Sequence, residues 1–190
     1  MALTLSRARV IPLLVSIAVF LVTLPGAQAA QARRIPVAND GGLEIQMPDG
    51  WVADVQGGGS SSAPTAQVTA PGRDFTMTVA PIAIPASAGS PSPERIRAAV
   101  ERMAAAPEIK ERTENPQVPV QELSGSQLVG YYFSVADKTW KPGSDEYHYM
   151  TQGALVVGKV AVNFIFLSNS APGADLAAAL DLLRSARHAP

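Results

Sequence analysis

The chain has no cysteine. That absence excludes thiol catalysis, thiolate metal sites and dithiol redox chemistry, and it leaves the fold without disulfide staples. Lipid attachment to a processed N-terminal cysteine is excluded with them. Histidine is scarce. Only His148 and His188 occur, far apart in the sequence, so an assembly of several imidazoles has little material. Charge of one sign is lacking too, with 15 basic against 16 acidic side chains. A chain without a basic excess lacks the electrostatic footprint that nucleic acid selects. Several signatures are absent as well: the G-x-S-x-G elbow, H-E-x-x-H, a Walker loop and G-x-G-x-x-G. The glycines of GGGSSSAPT (57–65) are followed by neither a lysine-serine pair nor a helical pattern, so that stretch does not cradle phosphate.

Long apolar runs are also rare, and the clearest one stands at the start. Arg7 and Arg9 precede Val10–Leu24, 15 residues broken only by Pro12, Ser16 and Thr23. Pro25 and Gly26 follow, then Ala27-Gln28-Ala29. Basic n-region, apolar h-region and A-x-A site in that order are a secretory signal peptide, expected over residues 1–29. The run falls short of the roughly 20 residues that span a bilayer. Processing there removes Arg7 and Arg9, leaving 13 basic against 16 acidic side chains and a charge of −3. The expectation is export to the periplasm, or beyond the cell, with no membrane span after cleavage. The remaining length suits one domain, large enough to bury a core without staples.

Residues 30–42, with Arg33-Arg34 and Asn39-Asp40-Gly41-Gly42, read as a flexible tether, and 43–187 as the folded domain. In LEIQMPDGW, Leu43, Ile45 and Met47 alternate with polar residues, as in a half-buried strand. Pro48-Asp49-Gly50 is turn chemistry. It predicts a hairpin whose second strand begins at Trp51, with that ring in the core. Residues 57–65 read as a hairpin tip, and a second strand pair is expected around Pro71-Gly72. Ser92, Pro93 and Glu94 punctuate a helix start, with Ile96, Ala99, Val100 and Met103 on one stripe. Residues 108–112 and 118–123 are weak strand candidates. Gln127–Val135 is a strong one. The runs 147–157 and 160–167 flank Gly158-Lys159, a type II′ hairpin signal that pairs Val157 with Val160 and Gly153 with Phe164. A last helix is expected over 173–187, capped by Ser170, with His188 on a frayed end.

These elements define an α+β domain: an antiparallel β-sheet with helices packed on it. The order of elements resembles the PsbP-like superfamily, whose domains are α/β/α sandwiches. The matching stretches are LEIQMPDGWV, YHYMTQGALVVGKVAVNFIFLS and DLAAALDLLRSAR. The resemblance implies a non-enzymatic accessory or binding domain and transfers no functional residue to a numbered position.

The chemistry that is present is sparse. KTWKPGSDE (138–146) is a polar loop that offers Trp140 with a lysine on each side. Aromatic residues are common binding anchors, so Trp140 and Lys141, with Tyr147 and Tyr149 on the following strand, are the candidate partner-binding residues. The bland alternative for Trp140 is a ring folded back on the sheet edge. Asp137, Asp145 and Glu146 offer carboxylates to a cation such as Ca²⁺, but Lys138 and Lys141 lie among them, and a soluble hairpin tip is the preferred reading. His148, between two tyrosines, serves a hydrolase only if a serine or aspartate lies within hydrogen-bond reach. The expectation is a non-catalytic accessory protein acting on another envelope protein, with no cofactor, no metal site and no nucleic-acid partner. The alternatives are a small-molecule or metal-binding periplasmic protein, or a hydrolase-like enzyme using His148.

Overall fold

The computed structural model describes residues 31–37, 41–57, 63–115 and 117–189. The expected signal peptide and residues 58–62 of the glycine-serine loop lie outside the described residues. No helix among the described residues is long and apolar enough to cross a membrane.

The fold is α+β and its sheets are antiparallel. The central sheet has seven strands in the order β3-β4-β5-β9-β8-β7-β6. They are β3 (Val52–Gln56), β4 (Thr65–Thr69), β5 (Phe75–Ala83), β6 (Gln121–Ser124), β7 (Leu128–Ala136), β8 (Tyr149–Val157) and β9 (Val160–Ser168). A smaller sheet joins β1 (Gln31–Pro36), β2 (Gly42–Met47) and β10 (Arg187–Ala189), with β2 in the middle. Helices α1 (Pro93–Ala104) and α2 (Pro107–Arg112) lie on one face of the central sheet, and α3 (Ala174–Arg184) lies on the other with the small sheet.

Period-two patterning decides which side chains meet. Met77, Val79, Leu155, Val162, Phe164 and Phe166 point to the small sheet and α3, where they join Ile35, Leu43, Ile45, Leu182 and Leu183 in the main core. Each such side chain contributes roughly 1.5–3 kcal/mol on burial, so most of the hydrophobic stabilisation lies on this face. The other face carries a thinner cluster, with Val100, Ala104 and Phe133 buried between α1 and β7. The β8–β9 hairpin has the expected register, with Val157 opposite Val160 and Gly153 opposite Phe164, and Gly158 takes the positive φ its turn requires (57°). Gly153 is forced by close approach. A Cβ there would lie 2.7 Å from both Phe164 Cζ and Tyr132 Cβ.

Several expectations are corrected. Gln31–Pro36 is not a tether but strand β1, paired antiparallel with β2 from Gln31↔Met47 to Pro36↔Gly42, with Ile35 fully buried. The charged pair Arg33-Arg34 masked the one inward apolar position. The strands flanking Pro48-Asp49-Gly50 do not form a hairpin. β2 pairs with β1 and β10, whereas β3 pairs with β4, so the turn carries the chain from one sheet to the other. It is closed by the Trp51 amide donating to the Pro48 carbonyl (3.1 Å), with Gly50 at φ 75°. Trp51 is buried, 4.8 Å from the Phe75 ring, as a core residue. Residues 107–112 form helix α2 rather than a strand, because Pro107 sits at its first position and the Ile109 carbonyl accepts from Thr113. Pro119 confines the next strand to Gln121–Ser124 at the sheet edge. Helix α3 begins at Ala174 without a side-chain cap; Ser170 instead donates its amide to the Ser168 hydroxyl. Arg187 and His188 belong to β10, where His188 pairs with Leu43.

Helix α1 follows its punctuation. The Ser92 hydroxyl accepts from the Arg95 amide, and Ile96, Val100 and Ala104 are buried. The same hydroxyl holds the Glu94 carboxyl below its ordinary range.

Candidate functional site

The loop 137–148 between β7 and β8 is polar in sequence, yet it is closed by a dense set of local bonds. The Asp137 amide donates to the His148 carbonyl (2.8 Å) and closes the base. The Asp137 carboxylate Oδ1 accepts from both the amide and the hydroxyl of Thr139 (2.8 and 2.7 Å), the short-range bonding that favours aspartate in turns. Gly143, at φ 82°, supplies the reversal at the tip. Trp140 folds back across the loop. Its indole N–H donates to the Glu146 carbonyl (2.9 Å), and its ring lies parallel to the His148 imidazole, 4.5 Å between centroids and 5° between planes. Trp140 is therefore an internal brace with one ring face covered.

Arg112, the last residue of α2, ties this loop to the helix. Its guanidinium donates to Asp137 Oδ2 through Nε (2.8 Å) and Nη2, and to Glu146 Oε2 (2.6 Å). The Lys138 amide donates to the Arg112 carbonyl (2.8 Å), and Thr113 forms a β-bridge with Asp137. Hydrogen bonds to Asp137 and then to Glu146 raise the Arg112 guanidinium above its ordinary value. Burial pushes the Asp137 carboxyl up, but the bonds from Thr139 and Arg112 outweigh it and hold it below the ordinary carboxylate range. The Asp137 side chain is 12% exposed, whereas Arg112 and Glu146 stand at the surface.

Beneath this bridge lies a cavity of about 390 Å³ between α2 and the ends of β7, β8 and β9. Its floor is one cross-strand row, Val135 opposite Met150 and Met150 opposite Leu167, with Ala136 and the α2 side chain Ile109 beside it. Its rim carries Glu108, Arg112, Asp137 and Glu146, and Tyr147 and His148 complete the wall. The size falls at the lower end of ligand pockets. An apolar floor with a polar rim accepts an apolar side chain or a small apolar group.

The structure divides the candidate residues. Tyr147 lines the cavity, while Trp140 braces the loop behind it. Lys141 is exposed on the loop, outside the cavity lining; its carbonyl accepts from the Ser144 amide. Strand alternation sends Tyr149 to the opposite face. There it lines a separate cavity of about 330 Å³, with Thr151, Phe166 and the Arg73–Asp175 ion pair. The four candidates thus do not form one surface. Of the three loop carboxylates, Asp137 and Glu146 converge on a cation that is already present, the Arg112 guanidinium. His148 has its imidazole against two rings, Trp140 and Tyr149 (4.2 Å), and its two hydrogen bonds are through its backbone, to Asp137 and Asn169. Among the described residues no serine or aspartate is seen to hydrogen-bond the ring, the partner a hydrolase base requires.

Arg112, Ile109, Met150 and Leu167 were not legible as site residues. Pro107-Glu108 was the available signal. Read as a helix start, it places Ile109 and Arg112 at i and i+3 on one side.

No family model matches the chain, and no curated protein matches it. Solved structures do. The solution structure of cyanobacterial PsbP (CyanoP) from Synechocystis sp. PCC 6803 is 16% identical, with 89% of this chain and 99% of that chain covered and a TM-score of 0.44. A crystal structure from Bacteroides thetaiotaomicron VPI-5482 is 15% identical, with 78% of this chain covered and a TM-score of 0.46; this chain spans only 45% of its length.

Proposed function

We propose that this is an exported, non-catalytic accessory protein that docks on another envelope protein through the cavity under α2. The observation that carries the reading is that cavity: an apolar row, Val135-Met150-Leu167, open to the surface beneath a charged rim. It lies over the thin cluster rather than the main core, so occupying it does not require the core to open. Residues 1–29 are proposed as a cleaved signal peptide that delivers the chain to the periplasm. A cavity of this size also suits a small apolar molecule, and that is the second reading.

The test is in-cell crosslinking and affinity purification of the tagged protein from the envelope fraction, beside Val135→Trp, which fills the cavity from its floor. A stoichiometric partner lost in the variant, with melting temperature retained, supports docking. A partner held equally by both proteins overturns it. A melting temperature that rises with an added small apolar compound in the wild type alone favours the second reading. Mass measurement of the recovered protein tests export: a mass beginning at Ala30 is expected, and one beginning at Met1 refutes cleavage.

A further inference from the structure

The cavity is not an isolated hole. A second one of about 160 Å³ lies beside it along the edge of β7, with Thr113, Val135 and Ala136 lining both and Glu114, Pro119 and Ser134 lining the second. A discrete small molecule needs only the larger cavity, whereas an extended chain can lie across both. Extended residues at i and i+2 project to the same side, about 6–7 Å apart. A chain with one side chain in the larger cavity therefore carries its next same-side residue along the rim.

The rim has a sign. Charged side chains lining the two cavities are Glu108, Glu114, Asp137 and Glu146 against Arg112. Arg112 is committed to Asp137 and Glu146, so this trio retains one negative charge. Glu108 and Glu114 are exposed and add two more, one lining each cavity. The loop cations Lys138 and Lys141 line neither cavity. An apolar floor under a negative rim complements an apolar side chain flanked by cations.

We infer that the occupant is an extended polypeptide segment of the partner in which a leucine, methionine or phenylalanine has a lysine or arginine two residues away. The apolar side chain fills the space over Val135, Met150 and Leu167, and the flanking cations pair with Glu108 and Glu114. This inference rests on the docking reading above and specifies its chemistry.

Fluorescence anisotropy with dye-labelled, capped peptides tests it on the purified protein. The probes are Lys-Ser-Leu-Ser-Lys, its Glu-flanked and Gln-flanked counterparts, and Lys-Ser-Ser-Ser-Lys, which lacks the anchor. The basic peptide is expected to bind about tenfold or more tighter than the acidic one, with affinity falling as salt rises. It should be lost in Val135→Trp and in Ile109→Glu, a second cavity variant in case the first misfolds. Glu108→Gln with Glu114→Gln should weaken the Lys-flanked peptide severalfold and leave the Gln-flanked one unchanged. Equal binding of the three leucine peptides, all lost in Val135→Trp, overturns the charge assignment and leaves docking standing. Equal binding of the peptide without leucine overturns the anchor. Binding of no peptide overturns the extended-segment inference, while the crosslinking experiment decides the docking reading separately.

Discussion

Trp140 is either a displayed anchor or a brace, and the two roles predict different responses to truncation. In the structure the indole N–H bonds the Glu146 carbonyl at 2.9 Å and the ring stacks on His148 at 4.5 Å. The hydrogen bond contributes about 1 kcal/mol and the ring pair about another 1 kcal/mol. Trp140→Ala removes both, and Trp140→Phe removes the hydrogen bond alone. The loop packs outside the main core, so the loss should appear as local opening rather than as global unfolding. Amide hydrogen exchange at Asp137 reads it directly, because that amide closes the loop by donating to the His148 carbonyl. At tenfold for every 1.4 kcal/mol, exchange at Asp137 should rise about 30-fold in Trp140→Ala and about fivefold in Trp140→Phe. The Phe164 amide, in β9, should be unchanged in both. Unaltered exchange at Asp137 in Trp140→Ala would refute the brace. If partner capture fell in the same variant, Trp140 would be an anchor after all.

Two further substitutions probe the sheet packing and the Arg112 bridge. Gly153→Ala places a methyl group against the Tyr131 carbonyl and 2.7 Å from Phe164 Cζ; backbone must move, and a loss of about 1–3 kcal/mol or more is expected in urea unfolding, so an unchanged midpoint would contradict the packing. Arg112→Leu leaves a mostly buried Asp137 carboxylate without its guanidinium, although Thr139 still donates to it. Asp137 has a lowered folded-state pKa, so its contribution is present above the unfolded value of about 3.9 and is lost as pH falls through the folded value. The melting-temperature gap between wild type and Arg112→Leu should therefore be widest near neutral pH and close below about pH 4; a gap that does not depend on pH would mean the pair contributes nothing through ionisation.

The sequence was most legible where one signal had one physical cause. The β8–β9 register was readable because Gly158 restricts the turn and period-two burial then fixes every pair. Helix α1 was readable from Ser92 and Pro93. The misreadings came where local chemistry fits two tertiary outcomes. Pro48-Asp49-Gly50 makes the same turn whether its flanking strands pair with each other or with different partners, and only β1 and β10 settle that choice. Two adjacent arginines made β1 look like a tether, because an edge strand with one buried residue has almost no periodic signal. The cavity was illegible for a related reason. Its walls come from α2, β7, β8 and β9, and no short window of sequence contains them together.

The cavity itself follows from a mismatch of lengths. Strands β7, β8 and β9 each have nine residues, about 30 Å of sheet. Helix α1 has 12 residues, about 18 Å even if laid along them, and it buries Phe133 at the middle of β7. Pro107 then redirects the chain into α2, which stops after six residues at Arg112. The row Val135-Met150-Leu167 lies past Phe133 toward the loop end, so α2 roofs it only in part. A longer α2 would cover the row and merge it with the thin cluster. Instead, Arg112 reaches across to Asp137 and Glu146, which fixes the height of the roof without filling the space beneath it. Exposed ion pairs stabilise little on their own, so the bridge is better understood through the geometry it holds. A pair kept at the mouth of an apolar space keeps that space open to an apolar side chain, and the carboxylates it leaves uncompensated give the opening its sign.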